Sequence, residues 1–112
     1  MKLITAVIAP FELAQVREQL SRLGVRGMTV TEVRGCGIGH SDVCRPADYA
    51  ALYQPQLMLE VGVDDELVEA TIHAMGKVAG STALPSADAK VVIIPLEHAV
   101  RIRTGDMDDE AL

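Results

Sequence analysis

The chain has 112 residues, of which 49% are hydrophobic and 23% charged, a composition typical of one globular domain and incompatible with wholesale disorder. Ten basic against sixteen acidic residues give a net charge of −6, and there are two tyrosines, one phenylalanine and no tryptophan. This balance excludes nucleic acid as the main partner, because nucleic-acid binding needs phosphate-neutralising cations and stacking surfaces. No stretch approaches the ~20 apolar residues of a membrane span. We therefore expect no direct membrane insertion. Two cysteines do not make a disulfide framework, so we expect the reducing cytoplasm as the location.

The first half of the sequence predicts a strand, a helix and a second strand. Residues 2–9 form a β-branched run that ends at a proline, which is typical of a buried strand. Residues 11–24 place leucines and valines at helical spacing and end at Gly24, a frequent helix stop. Residues 25–33 predict the second strand, and residues 34–39 extend it with three glycines. Glycines at such density indicate a bend or a close approach to the backbone.

The second half repeats this order after a long loop without periodicity at residues 36–55. Loops of this length inside compact domains are usually functional or disordered. In chain order we expect a strand at 57–63, a helix capped by Asp64 and Asp65 and ending near 79, a loop at 80–89, a strand at 90–96 and a charged tail at 101–112. Acidic residues at a helix start supply caps for its free N–H groups.

Two successive β-α-β halves are typical of an α+β ferredoxin-like sandwich, in which both helices cover one face of an antiparallel sheet. The first, third and fourth predicted strands are apolar at both alternating positions. A sheet with one solvated face would alternate apolar and polar residues instead. The second face is therefore expected to be covered by self-association.

Three segments resemble a known family: residues 1–37, the motif GHSDVCRPADY at 39–49, and residues 90–112 with VRIRTG. The chain is similar over nearly its whole length to PII signal-transduction proteins. The resemblance implies one PII-like domain over residues 1–112 and a ferredoxin-like homotrimer whose sheets line the core. It also implies adenine-nucleotide binding in clefts between subunits. Residues 36–55 correspond to the T-loop, which contacts a membrane transporter or metabolic enzyme, and residues 80–89 to the B-loop.

The tail carries two arginines that are candidates for phosphate binding. Arg101 and Arg103 alternate along a segment expected to be extended, and guanidiniums on one face suit phosphate oxygens. Surface ion pairs are the alternative from spacing alone. The resemblance assigns the phosphates to Lys90, Arg101 and Arg103, the adenine to Gly27, Met28, Thr29 and Glu60, and closure over the phosphates to Gly35, Cys36, Gly37 and Ile38.

The predicted B-loop departs from the family pattern. Residues 82–89, TALPSADA, contain no glycine, and Pro85 offers no N–H to a phosphate. We therefore expect ADP or AMP to compete well against ATP as the effector, and we expect no prosthetic group.

The predicted T-loop and its far end depart from the pattern too. The family glutamine is missing, and Gln56 replaces the lysine that pairs with a carboxylate of 2-oxoglutarate. Sensing of 2-oxoglutarate is therefore doubtful, since a dicarboxylate needs a cationic partner in a cleft. Gly39, His40 and Arg45 are candidates for a smaller anion, with bicarbonate suggested by analogy to PII relatives tied to inorganic-carbon uptake. Tyr49 aligns with the tyrosine that many members modify, although it could simply contact a partner.

An alternative function is a redox- or metal-responsive module built on Cys36, His40 and Cys44. Their Cys-x3-His-x3-Cys spacing matches no common zinc site, and no fourth ligand is evident, so we predict no resident metal. A reversible disulfide between Cys36 and Cys44 remains an alternative to two reduced thiols. No nucleophile lies in a recognisable catalytic motif, and we therefore expect no enzyme activity.

Overall fold

The computed structural model describes residues 1–35, 54–79 and 90–112, which contain four strands and two α-helices. The elements in chain order are β1 (Lys2–Ile8), α1 (Leu13–Arg22), β2 (Thr29–Gly35), β3 (Gln54–Val63), α2 (Val68–Ala79) and β4 (Val91–Pro95). Short 3-10 turns at Pro10–Glu12 and Asp65–Leu67 lead into the two helices, and a third lies in the tail at Asp108–Glu110.

The four strands form one antiparallel sheet in the order β2-β3-β1-β4. β1 and β3 occupy the centre, and each β-α-β half contributes one central and one edge strand. The antiparallel neighbours β1 and β3 are not consecutive in the chain, because each helix carries the chain across to the far side of the other half. This order is that of the ferredoxin-like sandwich, and the predicted fold class is confirmed.

One face of the sheet packs against the helices and forms the core. Alternate residues of the central strands are buried there, as the period of two along a strand requires. The helices contribute apolar side chains at helical spacing. The core consists of Ile4, Ala6, Ile8, Leu57, Leu59, Val61 and Val63 from the sheet and Val16, Leu20, Met75 and Val78 from the helices.

The opposite face of the sheet, which we call the open face, is apolar and incompletely covered. Leu3 and Met58 are half-buried on the central strands. Val92 and Ile94 of β4 pair with Thr5 and Leu3 and are 49% and 44% exposed. Cross-strand partners project to the same side of a sheet, so these four apolar side chains share the open face.

The second strand begins later than the sequence predicted. β2 starts at Thr29 rather than at residue 25. The N–H group of Val25 donates to the carbonyl of Leu20 at 3.1 Å, and Gly24, with a φ of +82°, turns the chain at the helix end. Residues near 25 therefore terminate α1, because its last carbonyls need partners.

The third strand begins earlier than predicted and includes Pro55, which had been assigned to the loop. β3 starts at Gln54, and Pro55 lies opposite Arg34 of β2. On its other side β1 ends at Ile8, opposite Leu57. β3 is therefore paired on one side only at Pro55, and sheets accept proline at such edge positions.

The predicted caps of α2 do not form. Asp64 occupies the N-cap position of the 3-10 turn but makes no side-chain capping bond. The carboxylate of Asp65 lies 3.0 Å from the Met1 amino group and 3.2 Å from the Lys2 Nζ. These two positive groups lower the pKa of Asp65. Asp65 therefore makes tertiary ion pairs instead of capping the helix.

Candidate functional site

The residues assigned to adenine lie together at one end of β2 and β3. Thr29 is the cross-strand partner of Glu60, so their side chains project from the same face of the sheet. Gly27 and Met28 directly precede Thr29 and line a cleft of about 290 Å³ between the end of α1 and this connection. We call this group, with the nearby tail, the adenine half-site.

Gly35 lies at the opposite end of β2. It is paired with Gln54, and the side-chain amide of Gln56 occupies the space that a Cβ on Gly35 would need. Only glycine tolerates such an approach without displacing its neighbour. A side chain at position 35 would therefore require the flexible Gln56 side chain to move. Cys36, Gly37 and Ile38 lie outside the described residues.

Lys90 lies at the opposite edge of the sheet from Gly35, at the start of β4. It immediately precedes Val91, which pairs with Ala6 of β1, and Ala6 lies opposite Leu59, whose other partner is Val30 near the start of β2. The Lys90 side chain is exposed and makes no hydrogen bond or ion pair with the described residues. The structure does not bring Gly35 and Lys90 together within one chain. We use the name phosphate half-site for these two residues because the resemblance assigns both of them to the phosphates.

The two half-sites are far apart within one chain. Thr29 and Gly35 are the first and last residues of β2, and six steps at ~3.3 Å each separate them by about 20 Å. This distance exceeds the length of a nucleoside diphosphate. One copy of the chain therefore cannot bring all the assigned residues to one nucleotide.

The tail is a folded hairpin rather than the extended segment expected from the sequence. Val100 forms a bridge with Met107, the Arg101 N–H donates to the Asp106 carbonyl at 2.9 Å, and the Gly105 N–H donates to the Arg101 carbonyl at 2.8 Å. Gly105 has a φ of +74°, a conformation that favours glycine. The predicted alternation of Arg101 and Arg103 on one face of an extended tail is therefore wrong.

The two arginines consequently have different surroundings. Arg103 is exposed and has no hydrogen bond or ion pair with any described residue. Arg101 is half-buried, and its Nη2 donates to the main-chain oxygens of Ala111 and Leu112 at 3.2 and 3.3 Å. Arg103 has its full donor set available for an anion, whereas Arg101 is partly engaged.

The tail docks beside the adenine half-site. A Cβ on Gly62 would lie 2.8 Å from the Leu112 Cδ2, so the leucine side chain rests against the β3 backbone. Gly62 follows Glu60 by two residues and projects to the same face. The Arg101 hairpin is therefore held at the end of β3 that carries Glu60.

One carboxyl group of the docked tail, that of Asp109, lies close to the carboxyl group of Asp64. Asp64 and Asp109 line a cavity of about 150 Å³ together with Leu112. Burial raises the pKa of Asp64 most, and the negative charge of Asp109 raises it further. The Asp64 Oδ1 is buried with no hydrogen-bond partner in the described structure. Sequence reasoning missed this pair, because nothing local links residues so distant in the chain.

Several predicted residues lie outside the described part of the chain and stay predictions. They are Cys36, Gly37, Ile38, Gly39, His40, Cys44, Arg45, Tyr49 and the segment 80–89. Within residues 1–35, 54–79 and 90–112, no three His, Cys, Asp or Glu side chains form a group that could hold a metal ion. No helix in these ranges is long and apolar enough to span a membrane.

Comparison with known proteins identifies the family. The family model described as "Nitrogen regulatory protein P-II" matches residues 1–106. Three similar proteins each cover 100% of both chains: nitrogen regulatory protein P-II of Rhizobium etli at 42% identity, P-II of Haemophilus influenzae at 44%, and nitrogen regulatory protein GlnK of Escherichia coli at 39%. The chain therefore belongs to the P-II family of nitrogen regulatory proteins, which are signalling proteins and not enzymes, as the sequence predicted.

Proposed function

We propose that this chain is a cytoplasmic homotrimeric regulator that binds ADP, AMP or ATP in clefts between subunits. In this proposal residues 36–55 act as the T-loop and control a transporter or enzyme of nitrogen or inorganic-carbon metabolism. The observation that carries the proposal is the separation of Thr29 and Gly35, which are assigned to the adenine and to the phosphates, at opposite ends of β2. A cleft becomes complete when the adenine half-site of one copy meets the phosphate half-site of the next.

The open face supports the assembly that this cleft requires. Leu3, Met58, Val92 and Ile94 leave apolar surface uncovered on a chain of only 112 residues. Contiguous exposed apolar surface is unfavourable in water and usually marks an interaction site. A closed ring of identical subunits covers the same patch on every copy, and such symmetry is the common solution for soluble oligomers.

Charge supports a phosphate-bearing ligand. The chain carries a net charge of −6, yet Lys90 and Arg103 are exposed without carboxylate partners in the described structure. Unpaired cations on an acidic protein attract anions locally, and a guanidinium binds phosphate oxygens through charge-assisted hydrogen bonds. In this proposal Arg103 of one copy and Lys90 of the next copy contact the same nucleotide.

The choice of co-effector follows from Gln56. Its uncharged amide lies against Gly35 at the base of residues 36–53, so this position supplies no cation to a dicarboxylate. A weak response to 2-oxoglutarate is therefore part of the proposal. Gly39, His40 and Arg45 are proposed to favour a smaller anion such as bicarbonate.

Nucleotide binding is tested by calorimetry with ADP on the wild-type protein and on Arg103→Ala. We expect Arg103→Ala to weaken ADP binding by at least about tenfold, because a charge-assisted bond contributes roughly 1.5–3 kcal/mol. Arg22→Ala is the matched control, since Arg22 is an exposed arginine paired with Glu18 on α1. No ADP binding by the wild type at millimolar concentration would refute the proposal.

The shared cleft is tested by complementation between variants. Lys90→Ala and Arg103→Ala each damage one half-site, so each protein alone is expected to bind ADP poorly. When the two variants are unfolded together and refolded as a mixture, some clefts receive Lys90 from one copy and Arg103 from another. Recovery of wild-type affinity in a fraction of sites is expected. If both residues served the same nucleotide from one chain, mixing would restore nothing.

A further inference from the structure

The cleft between the end of α1 and the connection to β2 reaches beyond the residues assigned to adenine. Gly27 and Met28 line it, whereas Thr29 and Glu60 do not. The cleft therefore extends from the adenine half-site toward α1, away from the face of the sheet that carries Glu60. Its volume of about 290 Å³ is close to the lower end, ~300 Å³, of pockets that hold small molecules.

Two arginines from different segments line this cleft. Arg17 belongs to α1, and Arg26 belongs to the connection that follows the helix. Both side chains are exposed, and neither makes a hydrogen bond or an ion pair with any described residue. Ser21 also lines the cleft, one helical turn after Arg17 and on the same side of α1. The cleft thus offers two guanidiniums and a hydroxyl to a ligand.

The sequence of α1 leaves Arg17 without an acidic neighbour. Residues three and four positions away are the ones that contact a side chain on a helix surface. For Arg17 these are leucine, alanine, leucine and serine, at positions 13, 14, 20 and 21. The acidic residue next to it, Glu18, pairs with Arg22 instead. The Arg17 guanidinium is therefore available to a group from outside the helix.

Carboxyl groups lie near Arg26 but do not pair with it. Arg26 also lines the neighbouring cavity of about 150 Å³ that contains Asp64 and Asp109, yet it forms no ion pair with either carboxylate. The chain as a whole has a net charge of −6. Two unpaired guanidiniums on one cleft make that cleft a positive region on an acidic protein, and such a region attracts anions.

We propose that this cleft binds the phosphate group of a small phosphorylated metabolite, that is, a phosphate monoester. Guanidiniums bind phosphate oxygens through charge-assisted and often bidentate hydrogen bonds, and the hydroxyl of Ser21 can donate one more. The inference goes beyond the proposed function and does not depend on it, because it uses neither Lys90 nor Arg103.

The inner wall of the cleft favours a monoester over inorganic phosphate. Leu20 is buried, and Val25 and Met28 are half-buried against the core. A phosphate group held by the two exposed arginines leaves this apolar wall uncovered. A short carbon skeleton attached to the phosphate would cover it, and removing apolar surface from water is favourable.

The site is tested by NMR on the isotope-labelled wild-type protein without nucleotide, with glycerol 3-phosphate as the probe. We expect saturable shifts of the main-chain amide signals of Ser21, Arg26 and Gly27. Inorganic phosphate, titrated separately, should shift the same signals with an affinity several-fold lower, because it lacks the carbon skeleton. Equal affinities of the two probes would overturn the assignment of a monoester.

Three variants test the role of the arginines. Arg17→Ala and Arg26→Ala should each weaken the binding of glycerol 3-phosphate by at least about tenfold, as expected for the loss of a charge-assisted hydrogen bond. Arg22→Ala is the matched control, because Arg22 is an exposed arginine of α1 that pairs with Glu18 and does not line the cleft. It should bind the probe as the wild type does. Shifts that never saturate, or an affinity that Arg26→Ala leaves unchanged, would overturn the inference.

A fourth variant separates this inference from the proposed function. Arg103→Ala is expected to weaken ADP binding and to leave the affinity for glycerol 3-phosphate unchanged. If Arg103→Ala abolishes the shifts and Arg26→Ala does not, the monoester occupies the nucleotide site, and the inference is overturned while the proposed function stands. If the wild type binds glycerol 3-phosphate through Arg17 and Arg26 but fails to bind ADP, the inference is supported and the proposed function fails.

Discussion

Two neighbouring isoleucines on β4 allow a strict test of assembly through the open face. Ile94 pairs with Leu3 and projects to the open face, whereas Ile93 pairs with the buried Ile4 and projects to the helix side. Their exposures are nearly equal, at 44% and 43%. Ile94→Asp and Ile93→Asp therefore make the same chemical change, at adjacent positions of one edge strand, on opposite faces of the sheet.

The expected magnitude follows from these exposures. Full burial of an isoleucine contributes about 1.5–3 kcal/mol, so covering the exposed 44% of Ile94 contributes roughly 1 kcal/mol per subunit. Ile94→Asp removes this contribution and places a carboxylate in the interface, which costs several kcal/mol more unless it is paired. Summed over the subunits of a ring, the loss should dissociate the assembly at micromolar concentration.

Sedimentation velocity across a concentration series measures the effect. Ile94→Asp should sediment as a folded monomer with native circular dichroism, and Ile93→Asp should remain assembled. If Ile94→Asp still forms the wild-type oligomer, or if both variants dissociate equally, the assignment of the open face as the assembly surface is wrong.

Three further predictions concern stability. Leu59→Ala, in the fully buried centre of β3, should lower the free energy of unfolding by about 2–5 kcal/mol in urea denaturation, and a loss below 1 kcal/mol would contradict the assigned core. Glu12→Ala removes the buried carboxylate that accepts the Ala9 N–H at 2.9 Å and should cost about 1–3 kcal/mol, while Glu12→Gln retains an acceptor and should cost less. Asp64→Asn should raise Tm at pH 7 but leave it unchanged near pH 3. Because the pKa of Asp64 is raised in the folded state, wild-type stability falls as the pH rises from the ordinary carboxyl pKa to the raised one, and it stays reduced at higher pH. An equal Tm shift at both pH values would refute the proximity of Asp109 to Asp64 as a source of this loss.

The order of elements could be predicted because it depends on local periodicity. Residues 2–9 and 57–63 alternate or run apolar as strands require, and the leucines and valines of α1 recur at helical spacing. The boundaries of the strands were predicted less well, because they depend on which residues of the neighbouring strands lie opposite. Pro55 belongs to β3 only because Arg34 lies opposite it while β1 has already ended.

The details of the site could not be predicted from local patterns. The sequence VRIRTG suggested an extended pair of arginines, but the bond from the Gly105 N–H to the Arg101 carbonyl folds the tail into a turn. The engagement of Arg101 by Leu112 likewise depends on the tertiary docking of the tail at Gly62. The resemblance supplied the residue types, and the fold supplied their separation into two half-sites.

Gly35 and Gln54 are cross-strand partners in β2 and β3. The two strand ends that residues 36–53 connect are therefore adjacent. Doubling the length of such a segment costs only about 0.6 kcal/mol of closure entropy, and it leaves the strand register on either side unchanged. The segment proposed to contact a partner protein can therefore change in length during evolution without altering the sheet or the core.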